Sequence, residues 1–153
     1  MYQNYFDNRD RFFGIGNYTS VAFARMEETR RAEIDTFIHM LANPSIKIVL
    51  GTDAIAGAHR RNVAELVARV EDGHQGEMAA ILSATSVVAE SLGLADRVRT
   101  ITVGFEADLV AVGGNPLDDI KHVRNVRFVM KGGQVYWDSV RPVAASAPVH
   151  RRR

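Results

Sequence analysis

Cysteine is absent from the 153 residues, which excludes disulfides, thiolate-held zinc and a cysteine nucleophile. Any metal must be held through His, Asp or Glu. Charge of one sign is missing too: 19 Lys and Arg stand against 18 Asp and Glu. A net charge of +1 gives no field strong enough to capture nucleic acid or an anionic membrane, so neither is expected as a partner. The Arg151-Arg152-Arg153 end reads as a solvated basic tag. No apolar run approaches the ~20 residues that cross a bilayer. The start Met1-Tyr2-Gln3-Asn4-Tyr5 also lacks the charged-then-apolar order of a signal peptide, so the expectation is a soluble chain. Paired histidines are missing as well: positions 39, 59, 74, 122 and 150 are isolated, and no His-x-His occurs.

What is present is enough apolar material, 46% of the residues, to bury one core in a chain of single-domain length. The chain is organised around Ile46-Lys47-Ile48-Val49-Leu50-Gly51-Thr52-Asp53. A short β-branched run ending in Gly-Thr-Asp has the form of a buried parallel strand that delivers a carboxylate to the mouth of an α/β structure. The small-residue loop Gly51–His59 follows, and lets the backbone approach a bound group.

Before that strand, residues 1–19 are aromatic and polar without period, and Phe12-Phe13-Gly14-Ile15-Gly16-Asn17 reads as a loop whose aromatics must pack on something. Gly14 and Gly16 open a G-x-G-x-x-G pattern, but its third position is Thr19 and no strand precedes it, which leaves a backbone turn. Thr19 or Ser20 caps a helix over about residues 20–42, with Phe23, Met26, Ile34, Phe37, Ile38 and Leu41 on one face, and Asn43-Pro44 ends it. His39, alone on that helix, reads as a packing or surface residue. After the strand, Asn62 opens a helix to about Glu71, and a second helix runs from about Gln75 to Ser91. From Arg97 the period is that of strands: Val98–Thr102, Leu109–Val112, Val126–Met130 and Gln134–Trp137, with Gly132-Gly133 as a hairpin signal.

Several of these pieces together resemble the C-terminal part of the amidohydrolase superfamily, in its imidazolonepropionase-like and prolidase-like branch. They are the Gly51-Thr52-Asp53-Ala54 strand end, Ala84-Thr85 with Ala89-Glu90-Ser91-Leu92-Gly93-Leu94, and Gly104-x-x-Ala107-Asp108-Leu109-Val110. Gly114-Asn115-Pro116-Leu117-x-x-Ile120 and Val129-Met130-Lys131-Gly132-Gly133-Gln134-Val135-Tyr136 complete the order, and the resemblance covers residues 45–138.

The resemblance implies an α/β fold: the C-terminal fragment of a (β/α)8 TIM-barrel metal-dependent hydrolase plus the C-terminal strands of the associated small β-sandwich. Residues 1–95 would be the last part of the barrel (loop, helix, eighth strand, two helices), 96–138 the sandwich strands, and 139–153 a flexible tail. It further implies hydrolysis of a C–N bond in a small amide, cyclic amide or dipeptide. Asp53, at the end of the eighth strand, would then be metal ligand and general base, accepting a proton from the metal-bound water. His59, six residues on in the loop that would line the opening, would be a substrate contact or a plain loop histidine. Gly104, Asp108 and Asn115-Pro116 belong to turn chemistry.

A whole barrel takes ~250 residues, and the family's earlier metal ligands have no counterpart in the ~45 residues before the strand. A divalent metal, with zinc the expected ion, is therefore implied for the complete enzyme, and none need be held by this chain alone, because a catalytic zinc usually takes three protein ligands. The apolar strand and the sandwich strands expect partners on their edges. These come either from a missing N-terminal portion or from a homo-oligomer. The alternative function is a catalytically inactive truncated remnant or assembly module that binds a partner chain.

Overall fold

The structure, a computed structural model, describes residues 3–54 and 59–139. The tail expected over 139–153 lies, apart from Ser139, outside the described residues. Helices come first: α1 (Gln3–Asp7), α2 (Arg9–Phe12), α3 (Ser20–Leu41), α4 (Ala64–Glu71), α5 (Glu77–Ser83) and α6 (Ser86–Ser91). They are followed by β1 (Leu109–Val112), a 3-10 turn (Ile120–Arg124), β2 (Val126–Lys131) and β3 (Gln134–Asp138).

The aperiodic N-terminal stretch carries two short helices, and the loop expected over residues 12–17 follows them as turns from Phe13 onward. Its aromatics pack on each other: Tyr5 lies 5.0 Å from Phe12 and 5.4 Å from Tyr18, ring centre to ring centre, and Phe6 lies 6.2 Å from the buried Phe23 of α3. Aromatic density supplied the order that helical period did not. In α3 the Ala22 amide donates to Thr19 Oγ1 at 3.2 Å, so Thr19 is the cap. His39 is exposed, and its Nδ1 lies 2.6 Å from the Asp35 carbonyl.

The helix expected over Gln75–Ser91 is two, broken at Ala84-Thr85. Ser83 Oγ donates to the Ala80 carbonyl at 2.6 Å and Thr85 Oγ1 to the Ile81 carbonyl at 2.9 Å. Such side-chain bonds compete with the helical ladder at one place. Asn62 does not cap α4 through its side chain: the residue before the helix is Val63, which makes no such bond.

Two expected strands do not form. Ile46–Leu50 and Val98–Thr102 join no sheet among the described residues, because a strand exists only through the ladder of a neighbour. The sheet has three antiparallel strands in the order β1-β2-β3. Leu109 faces Met130, Val110 faces Val129, and Lys131 faces Gln134 across a turn with Gly132 and Gly133 at φ 54° and 78°. Positive φ at both turn residues matches the twist of the flanking strands and favours glycine. Asp108 fixes this turn, since its Oδ1 accepts from the Gly132 amide at 2.7 Å. Asn115 Oδ1 likewise accepts from the Leu117 amide at 3.1 Å, so both residues do the turn work their motif suggests.

The core lies where α4 meets α5: Leu66, Val67 and Ala80 are buried, with Leu50, Val70, Ile81 and Ala84 around them. Ile120 of the 3-10 turn, only 2% exposed, completes this cluster, so residues from the second half close the core of the first. Gly73 brings α3 close: a Cβ there would stand 2.6 Å from Phe37 Cδ1.

Candidate active site

Asp53 stands at the end of a segment held from three sides. The Val49 carbonyl accepts from Arg69 Nη2 at 2.8 Å, and the Leu50 amide donates to the Ser83 carbonyl at 3.0 Å. Lys47 Nζ bonds Glu90 Oε1 of α6 at 2.8 Å. Leu50 itself packs on the core. Without a sheet ladder, two of the segment's peptide groups, the Val49 carbonyl and the Leu50 amide, are paired instead by α4 and by the end of α5.

Arg69 is the centre of this arrangement. Its guanidinium pairs with Glu65 one turn earlier on α4, lies 3.3 Å from Ser83 Oγ, and has its Cζ 5.3 Å from the centre of the Phe37 ring. The Arg69 side chain is only 12% exposed, and Ser83 is fully enclosed. A charge held that deep needs its partners, and the planar fork of arginine serves several at once. Sequence reasoning passed over both residues. The available signal was Glu65 four residues ahead of Arg69, the favourable helical order for an ion pair.

Beyond the clamp the backbone turns. Asp53 has φ 41°, in the left-handed region where non-glycine residues are uncommon and aspartate is among the better tolerated. Its side chain is exposed. On the far side of the loop His59 is exposed too, and Arg60 has φ 75°. Residues 55–58, between these flanks, lie outside the described residues. Among the described residues no three His, Asp or Glu side chains come together as a metal-holding group, so the donors described do not by themselves fit a catalytic divalent ion.

Two ionisable groups, Glu90 beside the segment and Lys121 of the 3-10 turn, carry displaced pKa values. The hydrogen bond and charge of Lys47 hold the Glu90 carboxyl below its usual range. The hydrogen bond and charge of Glu71 raise the Lys121 ammonium above its own, tying the 3-10 turn to the end of α4.

The geometry can be set beside known proteins. The profile of the Amidohydrolase family matches residues 13–136. This chain belongs to the amidohydrolase family. Ochratoxinase of Aspergillus niger is 36% identical to it over 95 residues, which make up 60% of this chain and 19% of that protein. Among solved structures, a Xaa-Pro dipeptidase with methionine bound in its active site superposes with a TM-score of 0.72 at 34% identity, over 88% of this chain and 32% of that one. A prolidase complexed with N-methylphosphonate-L-proline gives 0.71 at 27% identity, over 90% of this chain and 33% of that one. The amidohydrolase chain thus spans about a fifth of the length of the curated relatives it matches and about a third of these solved chains.

No helix among the described residues of this amidohydrolase chain is long and apolar enough to cross a membrane.

Proposed function

We propose that this chain contributes the general-base carboxylate of a hydrolase that cleaves a C–N bond in a small amide, cyclic amide or dipeptide. The observation that carries the reading is the family match over residues 13–136, which spans Asp53, together with relatives named as a Xaa-Pro dipeptidase, a prolidase and an ochratoxinase. In this reading residues 1–95 correspond to the last part of a TIM-like barrel and 96–138 to strands of a small sandwich domain.

Asp53 takes a proton from the attacking water as the water oxygen adds to the carbonyl carbon. It returns the proton to the nitrogen as the C–N bond breaks, so the carboxylate ends as it began. An exposed carboxylate at the tip of a segment clamped behind it suits that work. Its left-handed backbone is the kind of local strain that gathers at functional sites. His59, on the opposite flank of the loop, is proposed as a substrate contact. Asp53 is also proposed as one donor to a divalent ion, zinc being the expected one, with the other donors supplied from outside the described residues.

Asp53→Asn tests this reading, because asparagine tolerates the left-handed conformation while losing the charge. Hydrolysis of a Xaa-Pro dipeptide by the full-length protein in the presence of zinc is expected to fall by about 10²-fold or more. Turnover retained in the variant sinks the assignment.

A second reading is favoured by the apolar side chains left outside: Val103 is fully exposed, and Ile101, Leu92 and Val110 are largely so. Leu92, Ile101 and Val110 line one groove, and an exposed apolar surface of this kind marks an interaction site. Here the chain is an assembly module without hydrolytic activity, covered by another copy or by a further polypeptide. Stoichiometric zinc together with turnover in the purified chain refutes the second reading, and a cooperatively folding monomer by light scattering removes the need for a covering partner.

A further inference from the structure

We infer that Arg69 is the positioning residue for the Asp53 segment, acting through the backbone of Val49 and Leu50 without touching the reacting atoms. The inference rests on the reading of Asp53 as general base, but its structural content can be tested apart from that reading.

A strand that presents a carboxylate is ordinarily held by ladder bonds on both edges. Among the described residues Ile46–Leu50 has none, and its placement depends on other bonds. One of them, Arg69 Nη2 to the Val49 carbonyl at 2.8 Å, comes directly from the guanidinium. Another, the Leu50 amide to the Ser83 carbonyl at 3.0 Å, comes from a residue whose hydroxyl lies 3.3 Å from Arg69 Nη1. The guanidinium thus joins α4, the end of α5 and the segment at one point, four residues before Asp53.

What holds Arg69 is visible too. Glu65 fixes its charge, and the Phe37 ring, with Cζ 5.3 Å from its centre, supports one face of the fork. Lysine offers a single point of charge on a flexible stem and cannot span the Val49 carbonyl, Ser83 Oγ and Glu65 together. Leu50 also packs on the core, and the remaining polar tether, Lys47 with Glu90, is an exposed pair. Exposed pairs contribute little, so it does not replace the guanidinium.

The test uses the full-length chain, isotope-labelled, as wild type, Arg69→Lys and Arg69→Met. Two quantities are read in the folded protein: hydrogen exchange at the Leu50 amide relative to amides within α4, and the Asp53 Cα and Cβ chemical shifts that report its left-handed backbone. Leu50 exchange is expected to quicken at least tenfold in Arg69→Met and by a smaller factor in Arg69→Lys. The Asp53 shifts should move toward extended values in the same order, with α4 protection retained. A folded Arg69→Lys protein with wild-type Leu50 exchange and wild-type Asp53 shifts overturns the inference, as does a change spread evenly over all amides. If Arg69→Met does not fold, Arg69→Lys decides on the same two readouts. Asp53→Asn separates the two claims: turnover unaffected by it removes the general base, while the exchange pattern still reports on the clamp.

Discussion

The region around α4 and α5 and the three-stranded sheet solve opposite problems. In the first, a small apolar cluster is closed by Ile120, and a deeply placed charge, Arg69, is bonded to Glu65, Ser83 and the Val49 carbonyl. In the second, the strands pair antiparallel with one register shift in each pairing, at Ala111/Val112 and at Val129/Met130, yet Val110 is 64% exposed, and Tyr136 and Trp137 are more than half exposed. Hydrogen-bonded order and burial have come apart in the sheet. A sheet can satisfy its internal amides with three strands and still leave its faces wet, whereas a core exists only once its last wall is present.

Ile120→Ala should break that comparison most severely, because the residue belongs by sequence to the sheet half and by packing to the helical core. A loss of about 2–5 kcal/mol is expected in urea unfolding, and a value near zero would mean that the two halves do not share a core. Next in size, Gly73→Ala forces a Cβ against the Phe37 ring and the Arg69 carbonyl. A lowered unfolding midpoint equivalent to about 1–3 kcal/mol is expected from overpacking at this contact, together with a weaker Arg69–Phe37 contact.

Val110→Thr, by contrast, keeps a β-branched side chain on an already exposed site and should change stability by less than about 0.5 kcal/mol. A large loss in the isolated chain would show that this face is covered in solution.

The smallest effects are electrostatic. Glu90 has a lowered pKa because of Lys47, so the contribution of this bridge is full above the ordinary carboxylate range and is lost as pH falls through the lowered value. Lys121 has a raised pKa because of Glu71, so its contribution is full below the ordinary lysine range and is lost as pH rises through the raised value. Both pairs are exposed, and a shallow pH dependence of the unfolding midpoint at each extreme, abolished by Glu90→Gln and Lys121→Met respectively, is the expected outcome.

Much of the local structure was legible in residue order. The Thr19-Ser20 pair announced the start of α3, Gly132-Gly133 the hairpin, and Asp108 and Asn115 their turns, because each acts through atoms a few bonds or a few residues away or through a backbone preference of its own. Asp53 was legible as a candidate for the same reason, being the polar end of an apolar run. The strand assigned to Ile46–Leu50 was not recoverable in this way. An apolar run states that a segment is to be buried, but only a neighbouring strand makes it part of a sheet.

By itself, then, the sequence determined the family, through motifs in their order, and the chemistry open to it: no thiolates, one carboxylate, Asp53, closing an apolar run, and scattered histidines. The tertiary structure alone decided that Asp53 stands on a left-handed turn, that Arg69 and Ser83 hold the segment behind it, and that Ile120 closes a core begun more than fifty residues earlier. Those facts depend on groups distant in the chain meeting in space. The free energy of such a meeting comes from burial and from partners for a buried charge, and no local pattern of residues encodes which partner arrives.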